Sequence, residues 1–236
     1  MNSKPAAIIL CGGESQRMGY PKWRLPFNTA QQNTAQQQQT LLARLVSIIR
    51  PEVSKIVVSI SDQPKNLFAE LEVEQIVADV KPNCGPLEGI RTALKFLADD
   101  YESAFVTACD VPFFPNNVIS KLHNLLTADY EAVIPVLETD ERKRVFGMTA
   151  IYRCSANKKI DALTEAGRLK VSALAEELNT RVVAMPEMRS LDPKLDSLSN
   201  INTPDEYFEA LAALGLSGTD EVSKILKARQ AESAGE

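Results

Sequence analysis

The segment Ala6-Ala7-Ile8-Ile9-Leu10-Cys11-Gly12-Gly13-Glu14-Ser15-Gln16-Arg17-Met18-Gly19-Tyr20-Pro21-Lys22 begins with an apolar run free of polar breaks. That pattern suits a strand buried on both faces of a parallel sheet. The run stops at Gly12-Gly13, where the absence of Cβ lets the backbone turn sharply and lie close to a ligand. Arg17 and Lys22 follow on the same loop, so exposed amides and two cations gather at the carboxyl end of a strand. In an open α/β sheet that is where ligands bind, and amide N–H groups with Arg and Lys suit phosphate. The segment is expected to be a nucleotide loop. The local alternative is a strand-to-helix turn with two ordinary surface charges.

The spacing is neither Gly-x-Gly-x-x-Gly nor a Walker A loop, because Gly12 and Gly13 are adjacent and no Gly-Lys-Ser/Thr follows. From Leu10 to Lys22 it resembles the signature Leu-x-Gly-Gly-x-Ser-x-Arg-Met-Gly-x-x-Lys of nucleoside-triphosphate transferases. The molybdenum cofactor guanylyltransferases are the branch it is most similar to. Many of them carry Asp before the loop lysine, where this chain has Pro21. A Pro-Lys pair also occurs in sugar-phosphate nucleotidyltransferases.

The chain has 236 residues and a net charge of -5 with acids and bases interspersed. Such a chain can bury a substantial core, and its charge argues against a general nucleic-acid or anionic-membrane binder. No apolar run approaches the ~20 residues of a membrane span, and no secretory leader is evident, so a cytoplasmic location is expected. Cys11, Cys84, Cys109 and Cys154 form no Cys-x-x-Cys pair, which signals neither a zinc site nor a disulfide framework. His123, the only histidine, falls in a Leu-rich helical stretch and is expected to be structural, leaving no histidine-based triad.

Residues 28–39 are rich in Gln, Asn, Thr and Ala and read as an insertion, either a mobile loop or a helix extension. Thr40 can cap a helix carrying Leu41, Leu42, Leu45, Ile48 and Ile49. Strands are expected at 55–61, 75–79, 104–110, 132–136, 145–153 and 180–185. Helices are expected at 66–71, 86–97, 115–126, 158–166, 172–178 and 205–214. The charged run 140–144 reads as an exposed hairpin-like turn. Thr203, Pro204 and Glu206 read as a capping box with Pro at the first helical position. A second cap at Thr219 starts a short helix followed by a frayed polar tail from Gln230.

Strand–loop–helix order, with special residues at strand ends, predicts a three-layer α/β/α, Rossmann-like, doubly wound and mostly parallel sheet. The division expected is a domain over residues 1–214 containing the 28–39 insertion, then a short helix and tail over 215–236. Asp79 ends the third strand, and Asp110 ends a buried one. A buried unpaired carboxylate is costly, so Asp110 should face solvent or a cation, or else cap the next helix.

The resemblance extends from Ala6 to about Tyr207 and implies what the remaining residues do. Asp110 in Asp-Val111-Pro112 resembles the magnesium-binding acid of the family. Leu10, Cys11, Gly12, Gly13 and Lys22 of the first loop, with Asp79 and with Gly85, Pro86, Leu87 and Gly89 of the Gly-Pro-Leu-x-Gly turn, would hold the nucleoside triphosphate. Arg17 and Lys22 would neutralise its β- and γ-phosphates. Arg144, Arg168 and Lys170 are candidates for the acceptor phosphate, with Asn200 and Asn202 left for ligand or metal-shell work. The implied reaction joins GMP from GTP to molybdopterin with Mg2+ and releases pyrophosphate. Cofactor-supplying proteins and molybdoenzyme chaperones are implied partners. Cytidylyl transfer, or another phosphorylated acceptor, is the alternative, as is a non-catalytic nucleotide-binding module.

Overall fold

All of β1 (Ala6–Leu10) is buried, and the computed structural model shows why. Residues 4–13, 15, 17–28, 39–82 and 84–234 are described. β1 lies between two parallel neighbours, β2 (Lys55–Ile60) and β4 (Ser103–Ala108), and β3 (Gln75–Ala78) runs parallel beyond β2. Past β4 comes β7 (Thr149–Arg153), antiparallel to both β4 and β5 (Ala132–Glu138). The short β6 (Lys143–Val145) continues along the same edge of β5, and β8 (Thr180–Ala184) pairs parallel with the other edge.

Side chains alternate across a strand, so β1 feeds two cores. Ala6, Ile8 and Leu10 pack with Leu87, Ile90 and Leu94 of helix α2 (Pro86–Leu97), and with Ile160 and Leu163 of α4 (Asn157–Glu165). Ala7 and Ile9 pack with Leu42, Leu45 and Ile49 of α1 (Leu41–Ile49), Ile119 and Leu122 of α3 (Val118–Asn124), and Met188 of α6 (Met185–Leu191). Burying each large aliphatic side chain contributes about 1.5–3 kcal/mol, so a central strand apolar on both faces is stable only between two helical layers. The three-layer, doubly wound architecture is the one expected.

The winding reverses beside β1. The chain proceeds outward from β1 to β2 and β3, then returns to place β4 on the other side of β1. A crevice forms beyond the carboxyl ends of β1 and β4 at this switch point. Leu10 and Ala108 are in register, and the Cys109 amide donates to the Leu10 carbonyl at 3.0 Å. The first loop and Asp110 therefore leave the sheet side by side.

Several elements differ from the sequence reading. The strand expected over 145–153 is two strands, β6 and β7, broken where the Gly147 carbonyl turns aside to accept the Tyr152 hydroxyl at 2.8 Å. The exposed turn spans Thr139 to Arg142, and Lys143 and Arg144 belong to β6. Helix α3 begins later than Pro115, at Val118, where buried Glu52 accepts the Asn117 and Ser120 amides at 2.8 and 2.9 Å. Residues 66–71 hold only a 3-10 turn, Lys65–Phe68. The 172–178 helix is a 3-10 turn followed by the one-turn α5 (Leu174–Glu177). Helix α6 fills a stretch for which the periodicity predicts no element.

The carboxyl-terminal part closes a third, smaller core. Helix α7 (Pro204–Leu214) has the expected capping box, with Thr203 Oγ1 accepting from the Glu206 amide and Glu206 accepting from the Thr203 amide, and it ends at Gly215 in the left-handed conformation. Helix α8 (Asp220–Ala234) is 15 residues long, not short, and it absorbs most of the segment expected to fray. Tyr207, Ala210 and Leu211 of α7 and Val222 and Leu226 of α8 pack on Met18, Leu25 and Phe27.

Residues 29–38, most of the Gln/Asn-rich insertion, lie outside the described residues. Its ends are tied together. The Phe27 amide donates to the Gln39 carbonyl at 2.8 Å, and the Gln39 amide donates to Asn28 Oδ1 at 3.0 Å. Asn28 and Ser217 exchange backbone bonds at 3.0 and 2.9 Å, which fastens the base of the insertion to the α7–α8 connection.

Candidate active site

The loop after β1 turns at Gly13, whose φ of +107° is a conformation L side chains rarely adopt. Gly12 has no such need: a Cβ there would meet Ser61 Cβ at an ordinary 3.6 Å. Only one of the paired glycines is therefore dictated by backbone conformation. A second positive-φ glycine, Gly19 (φ +67°), reverses the chain between Arg17 and Lys22, and the Met18 and Gly19 amides donate to the Ser15 carbonyl. Lys22 then opens a 3-10 turn, Lys22–Arg24.

These turns bring together residues far apart in the chain. Lys22 Nζ reaches Asp110 Oδ2 at 2.8 Å and Asn202 Oδ1 at 2.9 Å. Asn200 Nδ2 donates to the other Asp110 oxygen at 2.5 Å, and Arg17 Nη2 approaches Asn202 Oδ1 at 3.4 Å. The Ile201 amide donates to the Asp110 carbonyl at 2.9 Å, which aligns the Asn200–Asn202 segment with the end of β4. Asp110 is only 8% exposed, so both its oxygens need the donors they have. The capping alternative for Asp110 does not apply, since the carboxylate is taken up by Lys22 and Asn200.

The nucleoside candidates gather a few residues away, across the ends of β1, β2 and β3. Ser59 donates its hydroxyl to Asp79 Oδ1 at 3.0 Å and to the Gly89 carbonyl at 3.3 Å. A Cβ on Gly89 would lie 3.0 Å from both Leu10 Cδ2 and Ser59 Oγ and 3.5 Å from Asp79 Oδ1, so any larger residue there would press on the strand ends and shift these side chains by a few tenths of an ångström. Gly85 has φ +81° and precedes Pro86 at the first turn of α2. Leu87 and Cys11 bury their side chains, leaving only their backbone to face a ligand. Partial burial pushes the Asp79 carboxyl up to about 6, with the Ser59 hydrogen bond opposing and the charge of Glu88 assisting.

Glu88 supports this second cluster. It is buried, which by itself raises its carboxyl, but hydrogen bonds from Arg91 and from the Lys81 amide bring the net shift below the ordinary value. Its oxygens accept from Arg91 at 2.6 and 2.7 Å and from the Lys81 amide at 3.0 Å, and Arg91 also pairs with Asp161 at 2.9 Å. The connection following Asp79 is thus fastened to α2. Neither Ser59 nor Glu88 is among the site residues expected from sequence. Ser59 is a hydroxyl next to the end of the apolar strand Lys55–Ile60, which is a legible signal. The Glu88–Arg91 pair has i,i+3 spacing, but its burial is not visible in the sequence.

An open cavity of about 580 Å³ adjoins the Asp110 cluster, lined among others by Pro112, Phe113, Arg144, Leu198, Asn200 and Asn202. Of the acceptor candidates, Arg144, Asn200 and Asn202 share this cavity. Arg168 and Lys170 are not among its lining residues. Arg168 instead pairs with Glu176 and Glu177 at 3.2 and 3.3 Å on an exposed surface. Asn200 and Asn202 thus touch both the cavity and the Lys22–Asp110 pair.

The donor chemistry fits a hard divalent cation. Asp110 supplies a carboxylate, Asn202 an amide oxygen, and the Lys22 ammonium resting on Asp110 marks a position that accepts positive charge. Magnesium is commonly held by one or two carboxylates together with substrate phosphates and water, so one acid suffices. Among the described residues, no three His, Cys, Asp or Glu side chains converge. His123 is remote in role: its Nε2 lies 3.0 Å from Ser103 Oγ, and burial lowers its pKa. The four cysteines are unpaired, and burial raises the Cys11 thiol well above its ordinary value. No helix among the described residues is long and apolar enough to cross a membrane.

The cationic glycine loop and the acid at the end of β4 meet at the switch-point crevice, the architecture of a nucleotidyltransferase. The family model described as MobA-like NTP transferase domain matches residues 7–182, and the chain belongs to that family. A probable molybdenum cofactor guanylyltransferase of Bacillus mycoides is 27% identical over 211 residues, covering 88% of this chain and 96% of its own. One of Methanosarcina mazei with the same description is 30% identical, covering 85% and 87%. The crystal structure of molybdopterin-guanine dinucleotide biosynthesis protein A from Archaeoglobus fulgidus superposes with a TM-score of 0.71 at 24% identity. It covers 89% of this chain and 98% of its own, a likeness of fold.

Proposed function

We propose that the chain transfers GMP from GTP to the terminal phosphate of molybdopterin, forming a guanine dinucleotide cofactor and releasing pyrophosphate. An acceptor phosphate oxygen attacks the α-phosphorus, the bond to the bridging α–β oxygen breaks, and the electron pair leaves with pyrophosphate. A phosphate monoester near neutral pH carries close to two negative charges, so the nucleophile requires no general base. The barrier lies in bringing two polyanions together, and it is lowered by positioning and by cancelling charge.

The observation carrying this reading is the meeting of Arg17, Lys22, Asp110, Asn200 and Asn202 at one edge of an open cavity. Arg17 and Lys22 neutralise the triphosphate, and Arg144 faces the acceptor across the cavity. Asp79 accepts from guanine N1 and N2 donors, and the Gly85–Gly89 backbone lies along the nucleoside. Magnesium, held by Asp110, supplies Lewis-acid neutralisation of phosphate oxygens when bound. Lys22 must then exchange its contact with Asp110 for one with phosphate, a short movement for a flexible side chain.

Pyrophosphate release across GTP, CTP, ATP and UTP, with and without molybdopterin, tests the proposal. Release confined to GTP and dependent on molybdopterin is the expected result. Equal or faster release with CTP would reassign the base, and release unaffected by molybdopterin would reassign the acceptor.

A further inference from the structure

We infer that the carboxyl-terminal helix α8 is a positioning element for the phosphate-binding loop. The family match ends at residue 182, well before α8 begins. Yet α8 lays one face directly on that loop. Val222, Leu226 and Arg229 recur at helical spacing, placing them on a common side. Val222 and Leu226 are buried in the third core beside Met18, which sits between Arg17 and Gly19. The aliphatic stem of Arg229 covers Gly19: a Cβ there would lie 3.4, 3.6 and 3.8 Å from Arg229 Cγ, Cδ and Cβ. The positive-φ turn that aims Arg17 and Lys22 is therefore covered by α8 from outside.

The same core reaches the other half of the site. Ile201, between Asn200 and Asn202, packs in the cluster with Met18 and Leu226. Loop and asparagine segment are thus held at a fixed separation by one small apolar body that α8 completes. The helix is anchored at both ends. Its approach is fixed by the Asn28–Ser217 backbone pair and by Gly218, whose Cβ would fall 2.6 Å from the Tyr207 hydroxyl. Near its far end Gln230 hydrogen-bonds Asp205 at the start of α7. Among the described residues, the two cores against the sheet contain none from α8. Loss of the helix should therefore loosen the loop while leaving the sheet and the base pocket in place. Displacements of about 1 Å of a positioning group can cost about 100-fold in rate, so a modest loosening is measurable.

This inference rests on the reading of the Gly13–Lys22 loop as the triphosphate cradle, and the test separates the two. Binding of inorganic tripolyphosphate with Mg2+, and separately of guanosine, is measured by calorimetry on the intact chain, on Arg229→Ala, and on a chain ending at Ser217. The expected result is tripolyphosphate affinity lowered about tenfold in the truncated chain and by a smaller factor in Arg229→Ala, with guanosine affinity unchanged in both. Equal tripolyphosphate affinity in the intact chain and Arg229→Ala would overturn the inference, as would a parallel loss of guanosine binding. If truncation prevents folding, Arg229→Ala decides alone. Failure of the intact chain to bind tripolyphosphate would remove the cradle reading itself, and the inference with it.

Discussion

Replacing Asp110 by asparagine probes the site most directly, because it removes one charge and almost no volume. In the free protein the carboxylate contacts Lys22 Nζ at 2.8 Å. At an effective dielectric constant of about 20, Coulomb's law gives roughly 6 kcal/mol of gross attraction at that distance. The two side chains retain 11% and 17% exposure, so solvent screens the pair, and desolvation of both ions offsets most of the remainder. The net contribution to folding is about 1–3 kcal/mol, which for a chain of this size lowers Tm by roughly 2–12 °C. Turnover should fall by far more, at least about 100-fold, since a preorganised electrostatic contribution is lost in the transition state. Nucleotide binding without metal should move the other way. With the competing carboxylate gone, Lys22 is free to join Arg17 at the phosphate, so Asp110→Asn should bind metal-free GTP at least as tightly as the parent and respond less to Mg2+. The assays are thermal unfolding, pyrophosphate release, and calorimetric GTP binding with and without Mg2+. Turnover within tenfold of the parent, or an unchanged magnesium response, would refute the role given to Asp110.

With its carboxyl near 6, Asp79 must be ionised to accept from guanine, so GTP affinity should fall as pH drops from 7 to 5 and Asp79→Asn should flatten that profile. Because the folded value is raised, the stabilising effect of protonated Asp79 is present at low pH and lost as pH rises from about 3.8 through about 6, and a thermal-denaturation difference curve against Asp79→Asn reads this. Gly89→Ala gains about 1 kcal/mol of helix propensity but places Cβ 3.0 Å from Leu10 and Ser59. Tm should therefore change little while GTP affinity drops, and unaltered affinity would show that α2 does not line the base pocket. Replacing residues 29–38 by a short Gly-rich link between Asn28 and Gln39 should leave pyrophosphate release within a few-fold of the parent, because the bonds among Phe27, Asn28, Gln39 and Ser217 already close the base. An inactive deletion would show that the insertion takes part in the reaction.

What local sequence encodes is recovered in the structure element by element. The Ala6–Leu10 strand, the Thr40 cap with the Ala43 amide 3.1 Å from its Oγ1, the Pro86 helix start and the Thr203–Glu206 capping box each depend on neighbours within a few residues. Arg17, Lys22 and Asp110 were legible as a constellation because each follows a buried strand in a recognisable pattern. Glu88 was not, because its value comes from meeting Lys81 and Arg91 in three dimensions, and the hydroxyl of Ser59, visible near the end of its strand, gains its meaning only beside Asp79.

Sequence alone therefore determined the doubly wound class, the glycine loop and the acid at the end of β4, since periodicity, capping and turn chemistry are properties of adjacent residues. Only the tertiary structure decided that Lys22 meets Asp110, 88 positions away, and Asn202, 180 positions away. It alone broke the 145–153 strand and extended α8 over Gly19. Those outcomes depend on strand order and on packing of distant surfaces, and polar residues such as Arg229 and Gln230 look solvent-bound until the surface that receives them has formed.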